Sequence, residues 1–355
     1  MASTSYATGN ALAVKVWAKK LFTESLKEAY ISRFMGESSD SVIMVRPELS
    51  KTAGDRITVG LRMQLSADGV QGDGTLEGNE EALTTYTDNV FIDQLRHATR
   101  SAGKMSEQRV AFNVRMENKN GLKDWWTNRL DTSFFNQVCG NNAVTDTRYT
   151  GNQATIAPSS NNIIRPSAVA NDQSLVSTNI FTLDLIDRAV ERAGTLSPMI
   201  RPISVDGEKK YVMFLHDYQV TDLRISTSTG QWQDIQKAAM QGGRYANNNL
   251  IKGGSFLGEY NGVLLYKANR VTLGVNSSTA AAVSNTRRAV LCGAQAGLMA
   301  YGGYSGSQEM DWVEEEFDYN NQLGVSAGMI FGLKKTVFNS LDFATVVVST
   351  YAAQH

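Results

Sequence analysis

Two cysteines, three histidines and five prolines are all that these 355 residues contain. Cys139 and Cys292 stand far apart and outside any Cys-x-x-Cys spacing, so free, mostly buried thiols are expected, neither a disulfide framework nor a cysteine-bound metal. His97, His216 and His355 are too scattered to give two metal ligands at helical spacing. No stretch of about 18 apolar residues occurs, and Met1-Ala2-Ser3-Thr4-Ser5-Tyr6 lacks the basic and apolar parts of a signal peptide. A membrane partner is therefore not expected, and synthesis in a cytoplasm is. The formal charge of −1 and the lack of a basic tail argue against sequence-specific nucleic-acid binding.

Catalytic patterns are missing too. There is no Walker-type Gly-Lys-Ser/Thr and no Gly-x-Ser-x-Gly elbow. Gly72-Asp73-Gly74-Thr75-Leu76-Glu77-Gly78 misses the dinucleotide fingerprint by one residue and puts acids where a phosphate needs bare amides. His216-Asp217 with Asp222 resembles a base with its orienting acid, but no nucleophile stands at motif spacing, and a structural histidine at a strand end is the expectation. Glu314, Glu315 and Glu316 alternate in a strand, with Glu314 and Glu316 on the face of Trp312, so they read as a solvated or interface face. Asp68 and Asp73 lack the oxygen-ligand spacing of an EF-hand loop. The five tryptophans read as core. No catalytic residue, metal or cofactor is expected, and neither is an enzyme.

What the chain does have is 42% hydrophobic residues and 30 glycines. Its length suggests about two domains, with strands and turns favoured over a helical array. Arg56 to Leu65 alternates strictly, Ile57, Val59, Leu61, Met63 and Leu65 sharing one face, which is the pattern of a half-buried strand. Asp68 to Glu81 is too polar and glycine-rich to be core, and Tyr86 to Ile92 brings the chain back. An arm of roughly 15 residues would reach on the order of 50 Å. A two-stranded hairpin of that length needs another surface.

Charge points to that surface. Residues 63–95 hold Asp68, Asp73, Glu77, Glu80, Glu81, Asp88 and Asp93 and no lysine or arginine, a balance of −7. Residues 96–129 hold Arg96, Arg100, Lys104, Arg109, Arg115, Lys119, Lys123 and Arg129 against Glu107, Glu117 and Asp124, a balance of +5. The expected contact is the basic segment of an identical neighbour.

Elsewhere, Trp17, Leu21, Phe22, Leu26, Tyr30 and Phe34 mark an amphipathic helix within 10–35. Its Lys15, Lys19, Lys20 and Lys27 form either a solvated face or a contact with nucleic acid or another subunit. Gly36 stops it. Lys104 to Val138 reads as mostly helical, with Leu122, Trp126, Leu130, Phe134 and Val138 recurring every four residues before Cys139-Gly140-Asn141 ends it. Residues 140–179 read as a long loop, either an elaborated surface excursion or partly mobile. Thr182 and Gly194 bracket a short helix. Strands at 210–215, 262–266 and 289–293, alternating with helices at 217–224 and 232–240, make an α/β unit. Strand-like sequence returns at 312–319, 328–332 and 343–348.

An ordered set of segments resembles the tailed-bacteriophage major capsid proteins, in the N4-like podophage branch. These are Trp17-Ala18-Lys19-Lys20-Leu21-Phe22, Gly54-Asp55-Arg56-Ile57-Thr58-Val59, Leu76-Glu77-Gly78-Asn79-Glu80-Glu81, Met105-Ser106-Glu107-Gln108-Arg109 and Gly258-Glu259-Tyr260-Asn261-Gly262-Val263. Gly293-Ala294-Gln295-Ala296-Gly297 and Ile330-Phe331-Gly332-Leu333-Lys334-Lys335-Thr336-Val337-Phe338-Asn339 complete the set, which runs from about residue 10 to 350. The resemblance implies an α+β fold, and with the residue reading it gives an N-terminal arm at 1–50, an extended hairpin at 51–103, a peripheral domain with a long spine helix at 104–179 and 306–355, and an axial domain at 180–305. It implies hexamers and pentamers closing an icosahedral shell around double-stranded DNA in the virion. Implied partners are further copies of the chain, a portal, scaffolding or decoration proteins, and DNA contacted without sequence preference.

Asp68, Asp73, Glu77, Glu80, Glu81, Arg96, Arg100, Lys104, Arg109, Trp17 and Leu21 are the expected subunit-interface residues, and Lys19 and Lys20 the expected DNA contacts. The rival readings are a cellular nanocompartment shell of the same fold and a hydrolase whose site is not local in sequence.

Overall fold

The computed structural model describes residues 29–47, 54–62, 65, 67–111, 113–205, 207–225, 255–303 and 310–355. Trp17, Lys19, Lys20, Leu21 and the helix expected at 232–240 lie outside them.

Two sheets and a long helix make the frame. In the first sheet the order is Met35–Gly36, Ile43–Arg46, Gly297–Gly302, Gln322–Lys335 and Asp311–Phe317, and Asp93–Arg100 also pairs with Gln322–Lys335. That long strand alternates. Val325, Ala327, Met329, Phe331 and Leu333 are buried with the helix Val114–Val138, whose Trp126 ring meets Phe331 edge-on at 6.1 Å. The opposite face carries Gly324, Gly328 and Gly332, and strands or side chains cross it there.

The helix buries Leu122, Trp126, Leu130, Phe134 and Val138, as a repeat of four requires. It does not run unbroken from Lys104. A short helix covers Lys104–Gln108, and the long one restarts at Val114, because Asn113 Oδ1 accepts from the amides of Arg115 at 3.0 Å and Met116 at 3.3 Å. Its end is a C-cap in which Gly140 adopts φ +62°.

The second sheet runs Ile163–Ile164, Thr345–Tyr351, Thr286–Cys292, Glu208–Leu215, Val263–Lys267 and Phe256–Tyr260, with Ile203–Val205 also on Glu208–Leu215. Helices Leu183–Thr195 and Asp217–Ile225 belong to this half of the chain. The chain crosses between the sheets more often than the boundary at 305/306 drawn from the sequence. Thr345–Tyr351, expected beside the long helix, pairs along its whole length with Thr286–Cys292. Gly297–Gly302, expected in the α/β unit, pairs with the long strand. Val346, Val347 and Val348 are fully buried, which suits an inner strand with partners on both sides and not an edge.

Phe34, Phe134, Phe135, Phe214 and Tyr266 knit both halves into one core; Phe34 sits edge-on to Phe214 and to Tyr266 at 5.0 Å. The turn Tyr30–Phe34 is 3-10 helical and is held by Asp131, whose carboxylate accepts from the amides of Tyr30 and Ile31 at 3.1 Å each.

Residues 140–179 are tied down. Asn162 Nδ2 donates to the Thr345 carbonyl at 2.8 Å, and Asp172, fully buried, accepts from Arg165 Nε at 2.7 Å and Arg288 Nε at 2.8 Å. Burial pushes the Asp172 carboxyl up, but Arg288 and Arg165 outweigh it and hold the group below the usual carboxylate range.

Candidate assembly surface

The hairpin pairs Arg56–Arg62 with Thr85–Phe91, antiparallel, Ile57 opposite Val90 and Leu61 opposite Tyr86. Its base rests on the first sheet through a small second core of Met44, Ile57, Val90, Leu298 and Ala300. Gly332 makes this possible, since a Cβ there would overlap the Phe91 carbonyl oxygen crossing above it. Asp88 locks the base in place. It is buried, pairs with Lys334, and accepts from the Val337 amide at 3.0 Å, while Lys334 Nζ also donates to the Asn89 carbonyl at 3.2 Å.

Removing this carboxylate leaves a lysine and an amide without it. Asp88→Ala is expected to cost about 2 kcal/mol and to raise hydrogen exchange at the amides of 56–62 and 85–91 first. Unchanged exchange there would show that the base is held by packing alone.

Beyond the base the chain stands away from the body. Leu65, Leu76 and Leu83 are 57%, 61% and 57% exposed, a large apolar surface for a loop. The acids are exposed among them. Two brace the loop, Glu81 accepting from the Ala67 amide at 2.8 Å and Glu80 from the Gly78 amide at 2.7 Å. Asp68, Asp73 and Glu77 are exposed as well.

The expected cations are split between two places. Arg96 and Arg100 project from Asp93–Arg100 on the sheet face opposite the long helix, Arg96 lying over Gly328 and the Arg100 guanidinium over the Phe317 ring at 4.2 Å. Lys104 and Arg109 are exposed on the elbow that precedes the long helix.

The elbow meets the turn Asp318-Tyr319-Asn320-Asn321, which joins Asp311–Phe317 to the long strand. The Lys104 amide donates to Asn321 Oδ1 at 3.3 Å, and the Ser101 amide to the Leu323 carbonyl at 2.8 Å. Sequence reasoning missed this corner, because its parts lie some two hundred residues apart.

The remaining flagged residues have structural roles. His216 Nδ1 accepts from the Tyr218 amide at 3.1 Å, and burial, with Arg287 nearby, pushes its pKa down to about 4. Glu314 Oε1 accepts from Trp312 Nε1 at 2.8 Å and Arg115 Nε at 2.9 Å, on the face that the alternation gave it. Trp126 and Trp312 are core. Trp125 is half-buried, stacked on His97 at 4.5 Å with the Arg129 guanidinium over its ring at 4.8 Å. Both cysteines are buried and free, as expected, and burial raises both thiols. Among the described residues no cluster of three acids, histidines or cysteines could hold a metal ion, and no helix is long and apolar enough to cross a membrane.

An arm reaching out from a two-sheet body with a long helix is a recognisable architecture, and the sequence pattern of the family described as phage capsid protein matches residues 5–354. The chain belongs to that family. The major capsid protein of Pseudomonas phage KPP25 is 28% identical, the match covering 95% of this chain and 94% of that protein. The capsid of Ralstonia phage GP4 matches at 32% identity with a TM-score of 0.80, covering 99% of both chains. The cyanophage Pam1 capsid, at 19% identity and a TM-score of 0.72 over 93% of this chain, shares the fold. For a capsid protein the α+β body and projecting hairpin are as the resemblance implied, and the nanocompartment and hydrolase readings give way to a phage shell.

Proposed function

We propose that this major capsid protein builds its shell by laying the acidic hairpin of each copy across the basic segment 96–129 of the next. Hexamers and pentamers made in this way close an icosahedral shell around double-stranded DNA. The observation that carries the reading is the hairpin itself. The leucines Leu65, Leu76 and Leu83 and the acids of its loop are exposed in the single chain, while its base is fixed through the buried Asp88, so it is built to be covered by something else. The first sheet with the long helix serves as the peripheral unit, and the second sheet as the axial unit. Portal, scaffolding or decoration proteins attach to this lattice, Lys19 and Lys20 meet DNA phosphates without reading sequence, and the subunit is made in the host cytoplasm.

Each exposed ion pair is worth less than about 1 kcal/mol, so the charge contribution is collective and salt-sensitive. Replacing Asp73, Glu77, Glu80 and Glu81 together with lysine is expected to abolish megadalton particles in sedimentation while the subunit keeps its native melting transition. Normal shells from that variant in electron micrographs would count against the reading.

A further inference from the structure

Apolar packing under the hairpin is non-directional, and a single polar pin at Asp88 fixes a place and not a direction. A second polar hold lies further along the same strand, at Phe91, roughly 10 Å away. There Gln153 Nε2 donates to the Phe91 carbonyl, and Asn152 Nδ2 donates to the Asp93 carbonyl at 3.1 Å. Phe91 ends the hairpin strand and Asp93 opens the next one, so these two bonds grip the bend where the chain leaves the hairpin for the first sheet. The same Asn152 amide donates to the Phe331 carbonyl at 2.8 Å, and Phe331 with Asp93 is the last rung of that pairing.

The turn that supplies both side chains is itself held by the frame. Gln137, in the last turn of the long helix and 1% exposed, donates from Nε2 to the carbonyls of Thr150 at 2.7 Å and Gln153 at 3.3 Å. Asn136 Nδ2 donates to the Tyr149 carbonyl at 2.9 Å, and the Leu333 amide of the long strand donates to the Gly151 carbonyl at 2.8 Å. Gly151 and Asn152 take φ of +71° and +61°. A Cβ at 151 would lie 2.7 Å from the Leu333 carbonyl oxygen, so glycine alone lets the turn come this close to the strand. Asparagine tolerates the left-handed region that follows. A backbone in this conformation persists where its surroundings over-determine it, and here the helix holds it from one side and the long strand from the other. From that fixed position it spends two side-chain amides on the root of the hairpin.

We infer that residues 150–153 are a strut that sets the direction in which the hairpin leaves the body, with Asn152 and Gln153 as its positioning residues. Asp88 and Gln153 hold two points of one strand against one frame, and two points fix a line. The strut is a property of the single subunit. Its use, presenting the hairpin to the next copy at one angle, rests on the reading above.

Spin labels on Thr85→Cys and Asn128→Cys, both exposed positions, read the hairpin's direction against the long helix by double electron–electron resonance. Cys139 and Cys292 are buried and stay unlabelled in the folded chain. In subunits kept below their assembly concentration, one narrow distance distribution is expected. Gln153→Ala should broaden or displace it, and so should Asn152→Gly, which keeps the left-handed backbone available but loses both amide bonds. Thr155→Val removes a comparable bond, to the Asn141 carbonyl at 3.1 Å, without touching the hairpin, and should leave the distribution as it was. An unchanged distribution in the first two variants, or the same change in all three, overturns the strut. Should Gln153→Ala not fold, Asn152→Gly, at a half-buried position, decides. Shell formation in the same variants separates the two readings. A displaced hairpin with normal shells leaves the strut standing and counts against the hairpin reading, whereas an undisplaced hairpin with lost shells overturns the strut alone.

Discussion

Asp172→Ala should destabilise the subunit by about 3–5 kcal/mol at neutral pH, seen as a fall of roughly 4–7 °C in melting temperature for a chain of this length. Asp172 is fully buried and accepts from Arg165, Arg288 and the Val275 amide. Without it, Arg288, only 4% exposed, keeps the carbonyls of Cys139 and Gly140 but no counter-charge. The pH dependence has a definite sign. A carboxyl held below its ordinary value contributes stability that is present above the unfolded value of about 3.9 and is lost as pH falls through the folded one. The gap between native and variant should therefore be full at neutral pH and narrow in acid. A gap that does not change with pH would mean that the carboxylate contributes by shape alone.

Trp126→Ala is the second large effect. The ring is completely buried between Trp125 at 5.1 Å and Phe331 at 6.1 Å, where the long helix crosses the long strand. Truncation there opens a cavity costing about 3–5 kcal/mol. Its Nε1 has no hydrogen-bond partner among the described residues, so Trp126→Phe gives up volume without giving up a bond. That variant should lose less than about 2 kcal/mol. Equal melting temperatures for the alanine and phenylalanine variants would contradict the cavity account.

Local patterns in the sequence carried the parts of the fold that obey local rules. Period two over Arg56 to Leu61 and the Cys139-Gly140 stop had one physical solution each, a half-buried strand and a capped helix. The break at 109–113 escaped notice because the apolar spacing runs through it, while the deciding feature is a side-chain cap at Asn113. Residues 140–179 looked like an excursion because they lack bulky apolar groups. They are held by Asn162 and Asp172 through bonds to strands more than a hundred residues away, and composition does not register such bonds. Trp125 was indistinguishable from Trp126 by position alone, yet one stacks between His97 and Arg129 and the other is core. The charge reversal between 63–95 and 96–129 is divided by the fold, which buries Asp88 and Lys119 and leaves Asp68, Asp73, Glu77, Arg96 and Arg100 exposed. The corner at Tyr319 needed the fold, since only the register of Asp311–Phe317 against the long strand brings it beside the elbow.

The place of Thr345–Tyr351 between Ile163–Ile164 and Thr286–Cys292 also sets an order of events during synthesis. Until that late segment leaves the ribosome, the second sheet is split and two strand edges wait for a partner far along the chain. Such long-range closure is slow, and it leaves nascent chains open to faulty association. The hairpin, encoded much earlier, is already made by then, but the body beneath it is not finished. The second sheet is thus continuous only once 345–351 lies between its two flanking strands, and closing it spans more than 180 residues of chain.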